Sequence, residues 1–114
     1  MNSYKLENFT KGWFIGNFEP SLFNGDFEVG IKEYKSGDKE ERHFHKLSKE
    51  YTVIVSGKVK MNNIEYIKGD IIEIIENEDT DFECIEDTIT VVVKTKSVKG
   101  DKYKILCFPC VHEI

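Results

Sequence analysis

The sequence has no long apolar run and no excess of basic residues. Apolar stretches such as "VIV" at 53–55 and "VVV" at 91–93 are far shorter than the roughly 20 residues of a membrane-spanning helix. The formal net charge is -5 and the pI is near 5.2, whereas binding to a phosphate backbone needs clustered lysine and arginine. We therefore expect neither a membrane protein nor a nucleic-acid-binding protein.

Cysteines are also few, and the first residues show no secretion signal. The three cysteines are an odd number, and no basic segment precedes an apolar one at the start. This combination favours a reducing compartment, so we expect a cytoplasmic protein. In the C-terminal "CFPCVHEI", Cys107, Cys110 and His112 form a C-x-x-C-x-H pattern. Such a pattern can hold zinc or act as a redox pair, but it lacks a fourth ligand, and buried structural cysteines are the more common case.

What the sequence does contain is a series of short β-like segments separated by turn residues. No segment keeps the apolar i, i+3, i+4, i+7 spacing of a helix for three turns. "FEVGIKEY" alternates with the period of a half-buried strand, and "MNNIEY" predicts a tight hairpin at Asn62 and Asn63. About eight such strands predict an all-β sandwich or barrel with one core.

We expect a single domain over residues 1–114, in which the aromatic segment 1–25 acts as a lid or a dimer contact. The segments "EYTVIVS" and "TITVVVK" are apolar on both alternating faces, so each face needs a cover. A second copy of the chain would cover the outer face, which predicts a homodimer. Alternatively, the aromatic segment that contains Trp13 and Phe23 folds over this face within one chain.

The segment "HFHKLSKE", residues 43–50, carries the most evident chemistry. His43 and His45 are two residues apart, so on a strand their rings lie on the same side, roughly 6.6 Å apart along it. A hairpin through residues 47–49 would bring the carboxylate of Glu50 beside them. Two imidazoles and one carboxylate with open positions suit Fe(II), Mn, Ni or Zn. The alternative is a polar edge strand with two surface histidines.

The spacing of this segment resembles the first signature of the cupin superfamily. All five signature positions are present, with the pattern Gly37, x5, His43, x, His45, x4, Glu50, x6, Gly57. The resemblance covers the chain from about Phe27 to Phe108. It implies an all-β cupin jelly-roll β-barrel that holds a divalent transition metal (Fe, Mn, Ni or Zn) through His43, His45 and Glu50.

The second cupin signature is incomplete. Counted from Gly69, the positions of the family's proline, glycine, histidine and asparagine hold Ile75, Asn77, Thr80 and Cys84. The fourth metal ligand is therefore missing, and Thr80 is expected to hold a water or a substrate oxygen through its hydroxyl. Asp79 or Asp81 would replace the ligand only if a bulge turned one of them inward.

A second resemblance points to chemistry without a metal. "HFHK" is similar to the "HAHK" of the nucleotide-sugar 3,4-ketoisomerases, although those cupins have glutamine where this chain has Glu50. In that interpretation His43 or His45 is a general base, because imidazole both accepts and returns a proton near neutral pH. The wider pattern, from "GWFIGNFEPS" to "GDIIEI", is similar to stand-alone bacterial cupins described as sugar-epimerase-like.

Together these features predict an enzyme that isomerises or epimerises a small sugar-like molecule, or that activates oxygen if the metal is Fe(II). His43 and His45 are the predicted catalytic residues, and Thr80, Tyr66 and Tyr103 are the predicted substrate contacts. The alternatives are a metal-free isomerase and a binding module that catalyses nothing. In each case the partner is a small molecule.

Overall fold

A computed structural model of the protein describes residues 1–105. This part of the chain contains two short 3-10 helices, Leu6–Asn8 and Thr10–Gly12, and ten strands. The strands, β1 to β10 in chain order, are Trp13–Ile15, Glu28–Tyr34, Lys39–Phe44, Glu50–Ser56, Lys58–Met61, Ile64–Ile67, Ile71–Ile74, Thr80–Cys84, Thr88–Lys94 and Tyr103–Lys104. The all-β prediction is confirmed. No helix among these residues is both long and apolar enough to cross a membrane. The pattern at Cys107, Cys110 and His112 lies outside the described residues.

The strands form two antiparallel sheets of five strands each. The first sheet has the order β1-β2-β9-β4-β7, and the second has the order β10-β3-β8-β5-β6. Strands distant in sequence are neighbours in each sheet, as β2 and β9 are in the first. This is the double-sheet arrangement of a jelly roll. β4 and β9 have the same bounds as the segments "EYTVIVS" and "TITVVVK".

The apolar core lies between the sheets. Its buried members are Ile54, Val59, Met61, Ile74, Phe82 and Cys84. Ile54 and Val59 are fully inaccessible to solvent, and complete burial of such a side chain contributes about 1.5–3 kcal/mol to folding. β8 follows the predicted alternation, because Thr80, Phe82 and Cys84 all point inward.

Residues with left-handed backbone angles close the tight turns. Asn62 and Asn63 have φ values of 49° and 64° and join β5 to β6, which confirms the predicted hairpin. The two signature glycines differ from each other. At Gly57, with φ 95°, an added Cβ would lie 2.3 Å from the carbonyl oxygen of Asp87, whereas at Gly37, with φ 91°, nothing lies within 4 Å. Space as well as backbone angle therefore requires glycine at position 57.

β2 shows the predicted period of two, but the side that carries Glu28 and Lys32 faces inward. Glu28, Gly30 and Lys32 alternate with Val29 and Ile31, and Lys32 lies on the wall of a cavity between the sheets. The polar side faces inward because this end of the interior is a polar cavity and not a continuation of the apolar core.

The outer face of the first sheet is apolar. Ile71 is 67% exposed, Val55 is 42% exposed and Ile89 is 38% exposed. The aromatic N-terminal segment contributes β1, which pairs with β2 at the edge of this sheet. Trp13 of β1 lines the inner cavity.

Candidate functional site

A cavity of about 230 Å³ lies between the two sheets, directly beside the core. Its wall includes His43, His45, Glu50 and Thr80, so the structure brings together four residues that the sequence assigned to one site. Met61, Ile74 and Phe82 belong both to this wall and to the core cluster. Packing of the core therefore fixes the apolar part of the cavity wall, next to which the polar side chains lie.

The two histidines lie at the end of β3. His43 is its penultimate residue, and the chain leaves the strand just before His45. The ring centroids are 5.3 Å apart and the rings are nearly perpendicular, at 89°. His43 Nδ1 lies 2.8 Å from the carbonyl oxygen of Glu41, a contact that places a proton on Nδ1 and leaves the lone pair of a neutral ring on Nε2.

His45 is buried and incompletely satisfied. It is 6% exposed, and its Nε2 has no hydrogen-bond partner among the described residues. Burial lowers the pKa of His45 to about 4, and the nearby charges of Lys94 and His43 act in the same direction. The ring is therefore uncharged at neutral pH. A buried polar atom on a cavity wall without a partner is a group that a ligand would satisfy.

Thr80 lies on β8, the strand beside the histidines, and Glu50 lies on β4 of the other sheet. Glu50 begins β4, opposite Lys94 of β9, and it accepts a hydrogen bond of 3.0 Å from the hydroxyl of Thr52. Thr80 of β8 lies directly opposite His43 and donates its hydroxyl to the carbonyl oxygen of Asp81 at 2.7 Å. The position of the missing fourth ligand is thus beside the histidine pair.

Asp79 and Asp81, the two aspartates that could have replaced the fourth metal ligand, instead contact Arg42. Arg42 Nη1 is 2.8 Å from Asp79 Oδ2, and Arg42 Nη2 is 3.7 Å from Asp81 Oδ2. Asp81 also accepts the backbone N–H of Asn62. Neither aspartate lies on the cavity wall.

Two predicted substrate contacts, Tyr66 and Tyr103, lie away from the cavity. Tyr66 packs against the core cluster, and Tyr103 stacks on Phe44 with ring centroids 5.4 Å apart. The tyrosine on the cavity wall is Tyr34, whose hydroxyl donates to Glu40 at 2.8 Å. Alternation alone did not separate these tyrosines, because the inward direction of each strand depends on how the two sheets pack.

The hydrogen bond between Tyr34 and Glu40 fixes the charge of both groups. Burial and the Glu40 carboxylate raise the pKa of Tyr34 well above its usual range. Burial alone would raise the pKa of Glu40, but the hydrogen bond from Tyr34 and the charge of Lys102 outweigh this effect and lower it. At neutral pH the phenol is protonated and the carboxylate is ionised.

Sequence reasoning missed the lysines of the cavity. Four line it, Lys11, Lys32, Lys94 and Lys102, whereas Glu40 and Glu50 are the carboxylates on its wall. The chain as a whole carries a net charge of -5. The cavity is therefore a locally cationic site in an acidic protein. Lysine on a strand usually faces solvent, so the sequence pattern gave no reason to turn Lys32 and Lys94 inward. Lys11 and Lys102 are exposed and lie outside the strands.

Sequence reasoning also missed Asp101. Its buried carboxylate accepts backbone N–H groups from Lys46 at 2.9 Å, Leu47 at 3.1 Å and Ser48 at 3.1 Å. Ser48 adds a hydrogen bond from its hydroxyl to the carbonyl oxygen of Lys96 at 2.7 Å. These contacts hold the loop between His45 and Glu50, although Asp101 lies more than fifty residues later in the chain.

The predicted metal ligands have the right chemistry, but they are not arranged as a coordination site. Among residues 1–105, no three His, Cys, Asp or Glu side chains are close enough together to hold a metal ion. The ammonium of Lys94 also lines the cavity and would repel a divalent cation. The unpartnered Nε2 of His45 suits a metal ion as well as it suits a substrate group. Metal ligation by His43, His45 and Glu50 stays a prediction.

Comparison with known proteins identifies the fold. No protein-family model and no curated protein matches the sequence. Solved structures do match. A protein from Klebsiella pneumoniae with a double-stranded β-helix domain superposes with a TM-score of 0.61 at 19% identity, over 70% of this chain and 76% of that chain.

Two further structures with a similar fold are cupins. An RmlC-like cupin from Shewanella frigidimarina has a TM-score of 0.61 at 17% identity, over 69% of this chain and 73% of that one. A sugar phosphate isomerase of the cupin superfamily from Silicibacter pomeroyi has a TM-score of 0.56 at 20% identity, over 64% of this chain and 52% of that one. This chain shares the fold of these proteins, which confirms the predicted jelly-roll fold.

Acidification from about pH 7 to about pH 5 is expected to lower the free energy of unfolding through His45. Its pKa of about 4 in the folded chain lies below its ordinary value of about 6.5, so protonation favours the unfolded chain. The stabilisation is present above about pH 6.5 and is lost as the pH falls towards 4, with roughly 1–2 kcal/mol gone by pH 5. Urea denaturation at the two pH values, with a chelator present, measures this loss.

His45→Gln is the matched control for this titration. Glutamine does not titrate, so the variant should lose less stability than the wild type by the same roughly 1–2 kcal/mol. If the free energy of unfolding fell equally in the wild type and in His45→Gln, the lowered pKa of His45 would be contradicted.

Proposed function

We propose that this protein binds a small sugar-like carbonyl compound in its cavity and moves a proton on it, with His45 as the proton-transfer group. The observation that carries the proposal is that His45 lines the cavity while its buried Nε2 has no hydrogen-bond partner among the described residues. A neutral imidazole in this position can accept a proton from a carbon beside a carbonyl group and return it.

The size of the cavity supports a single small molecule. Pockets that hold drug-sized ligands measure about 300–1,000 Å³, whereas this cavity measures about 230 Å³. A single sugar or sugar phosphate suits this space better than a nucleotide sugar does. The sugar phosphate isomerase of Silicibacter pomeroyi, which has the same fold, adds support for that substrate class.

The residues around His45 suit an isomerisation or an epimerisation. Removal of the proton gives an enediolate, and return of the proton to the neighbouring carbon gives the isomer. Return to the same carbon from the other face gives the epimer. His43 and Thr80 lie close enough to His45 in the cavity to orient substrate hydroxyl groups. Lys102, which lies on the cavity wall and whose charge acts on His45, would stabilise the negative charge that develops on oxygen.

A metal-dependent form of the same function is the second candidate. The observation that favours it is that His43, His45 and Glu50 all line one cavity. A divalent ion held by these three residues would act as a Lewis acid on a substrate oxygen. The role of Glu50 distinguishes the two forms, because without a metal it orients its neighbours and with a metal it is a ligand.

Deuterium exchange tests the proton transfer. Glucose and fructose, each with and without a 6-phosphate group, are incubated with the protein in D₂O, and exchange at carbons beside the carbonyl is followed by proton NMR. Loss of a general base typically costs 10²–10⁴-fold, so His45→Gln should slow exchange by at least about 100-fold. Binding, followed by thermal shift, should survive in the variant. Parallel reactions with chelator and with added Fe(II), Mn, Ni or Zn distinguish metal-free from metal-dependent proton transfer, because only the metal-dependent reaction stops when chelator is present.

Two results would count against the proposal. Equal exchange rates in the wild type and in His45→Gln would remove His45 from the chemistry. A sugar that binds but shows no exchange under any metal condition would favour a binding module that catalyses nothing.

We also propose that the chain forms a homodimer through the outer face of its first sheet. Ile71, Val55 and Ile89 are exposed on this face, and an exposed apolar patch with several neighbouring members marks an interaction surface. A twofold interface uses the same patch on both copies, so one self-complementary sheet face is enough to form it.

Sedimentation equilibrium tests the dimer. The wild type should have about twice the chain mass of 13.3 kDa, and Val55→Lys combined with Ile71→Lys should have the mass of one chain. A wild-type protein with the mass of a single chain at high concentration would contradict the proposal.

A further inference from the structure

At one end of the cavity, two lysines lie beside one indole ring. Lys32 Nζ is 5.2 Å and Lys94 Nζ is 5.1 Å from the centroid of the Trp13 ring. All three residues line the cavity. Both contacts are within the range of a cation–π interaction, so the indole holds the two positive charges near one place.

The register of the first sheet builds this arrangement. Trp13 of β1 lies opposite Gly30 of β2, which in turn lies opposite Val92 of β9. An added Cβ at Gly30 would come within 2.7 Å of the indole, so the absence of a side chain there makes room for the ring. Lys32 and Lys94 occupy the inward positions on either side of this row. The sheet therefore fixes the pair as part of its inner face.

Lys32 lacks a counter-charge of its own. Lys94 has Glu28 at 3.9 Å, but among the described residues no carboxylate lies within 4.0 Å of Lys32 Nζ. Its hydrogen bond is to the carbonyl oxygen of Lys11, at 2.8 Å, although an ammonium group has three donors. Burial lowers the pKa of Lys32, and the charge of Glu40 only partly offsets this effect. An incoming anion would supply the missing partner.

We infer that Lys32 and Lys94, on either side of Trp13, form an anion subsite that holds a phosphate or carboxylate group of the substrate. The identity of this group as part of a substrate rests on the function proposed above. The anionic end of the molecule binds at the lysines, and its carbonyl end lies towards His45. Charge-assisted hydrogen bonds to an ammonium group in a partly desolvated cavity are stronger than neutral ones.

Trp13 is a built-in reporter for this subsite. It is the single tryptophan of the chain, so tryptophan fluorescence, excited selectively over that of the tyrosines, comes from the ring that both lysines contact. Inorganic phosphate and acetate are titrated separately, with sodium chloride holding the ionic strength constant so that general screening does not change. A saturable change in fluorescence with phosphate assigns a phosphate subsite, and one with acetate alone assigns a carboxylate subsite.

Variants of Lys32 test the assignment. Lys32→Met should weaken binding of the responding anion by about 10- to 100-fold, the usual effect of losing a hydrogen bond to a charged group. Lys32→Arg keeps the charge and should bind with an affinity close to that of the wild type. Lys39→Met is the matched control, since Lys39 lies on the outside with a 69% exposed side chain and should leave the titration unchanged.

Three results would overturn the inference. The first is the absence of a saturable fluorescence change with either anion. The second is an anion affinity of Lys32→Met equal to that of the wild type. The third is a loss of anion affinity in Lys39→Met as large as that in Lys32→Met. The outcome is independent of the proton-transfer test, because phosphate binding needs no reaction. His45→Gln should keep the phosphate response even if the sugars show no exchange.

Discussion

The carboxylate of Asp101 is the interaction on which the site depends. It accepts three backbone N–H groups from the loop that joins His45 to Glu50. Without it, three donors in a buried or partly buried loop would lack a partner, at a cost of roughly 1–3 kcal/mol for each buried one. Because the loop sets where β3 ends and where β4 begins, Asp101 sets the distance between the histidine pair and the carboxylate.

A second contact ties the same loop to the connection between β7 and β8. The carbonyl oxygen of His45 accepts the backbone N–H of Asn77 at 2.7 Å. Asn77 has a φ of 67° and stands where the cupin signature has glycine, and asparagine is one of the few other residues that tolerates this angle. The departure from the signature at this position therefore preserves the backbone conformation. The departure at Thr80 changes the chemistry instead, because an imidazole is replaced by a hydroxyl group.

Patterns of strands and turns could be predicted from the sequence because they depend on local rules. Turn residues on either side gave the bounds of β4 and β9, and the Asn62–Asn63 pair gave a hairpin. The spacing of the first signature placed His43, His45 and Glu50 on one cavity wall. The strand and hairpin predictions succeeded because each depends on residues that are close together in the chain.

The rest of the site depends on contacts between distant segments. Asp101 acts on residues more than fifty positions earlier, and no periodic signal marks such a partner. Trp13 enters the cavity only because β1 pairs with β2 beside a glycine. Lys32 and Lys94 face inward because the polar side of β2 and the end of β9 line the cavity, which a preference for solvent exposure would not predict. The positions of the charged side chains in the site thus depend on long-range packing, whereas the positions of the histidines could be predicted from the local sequence pattern.

Amide hydrogen exchange in Asp101→Ala tests most directly whether this one carboxylate holds the site. In the wild type the amides of residues 46–48 should be protected, and in the variant their exchange should be about tenfold faster or more, since losing 1.4 kcal/mol corresponds to a factor of ten. Amides in the ladder between β4 and β9 should keep their protection, which serves as the internal control. If the amides of residues 46–48 were equally protected in both proteins, Asp101 would not be what positions His45 and Glu50.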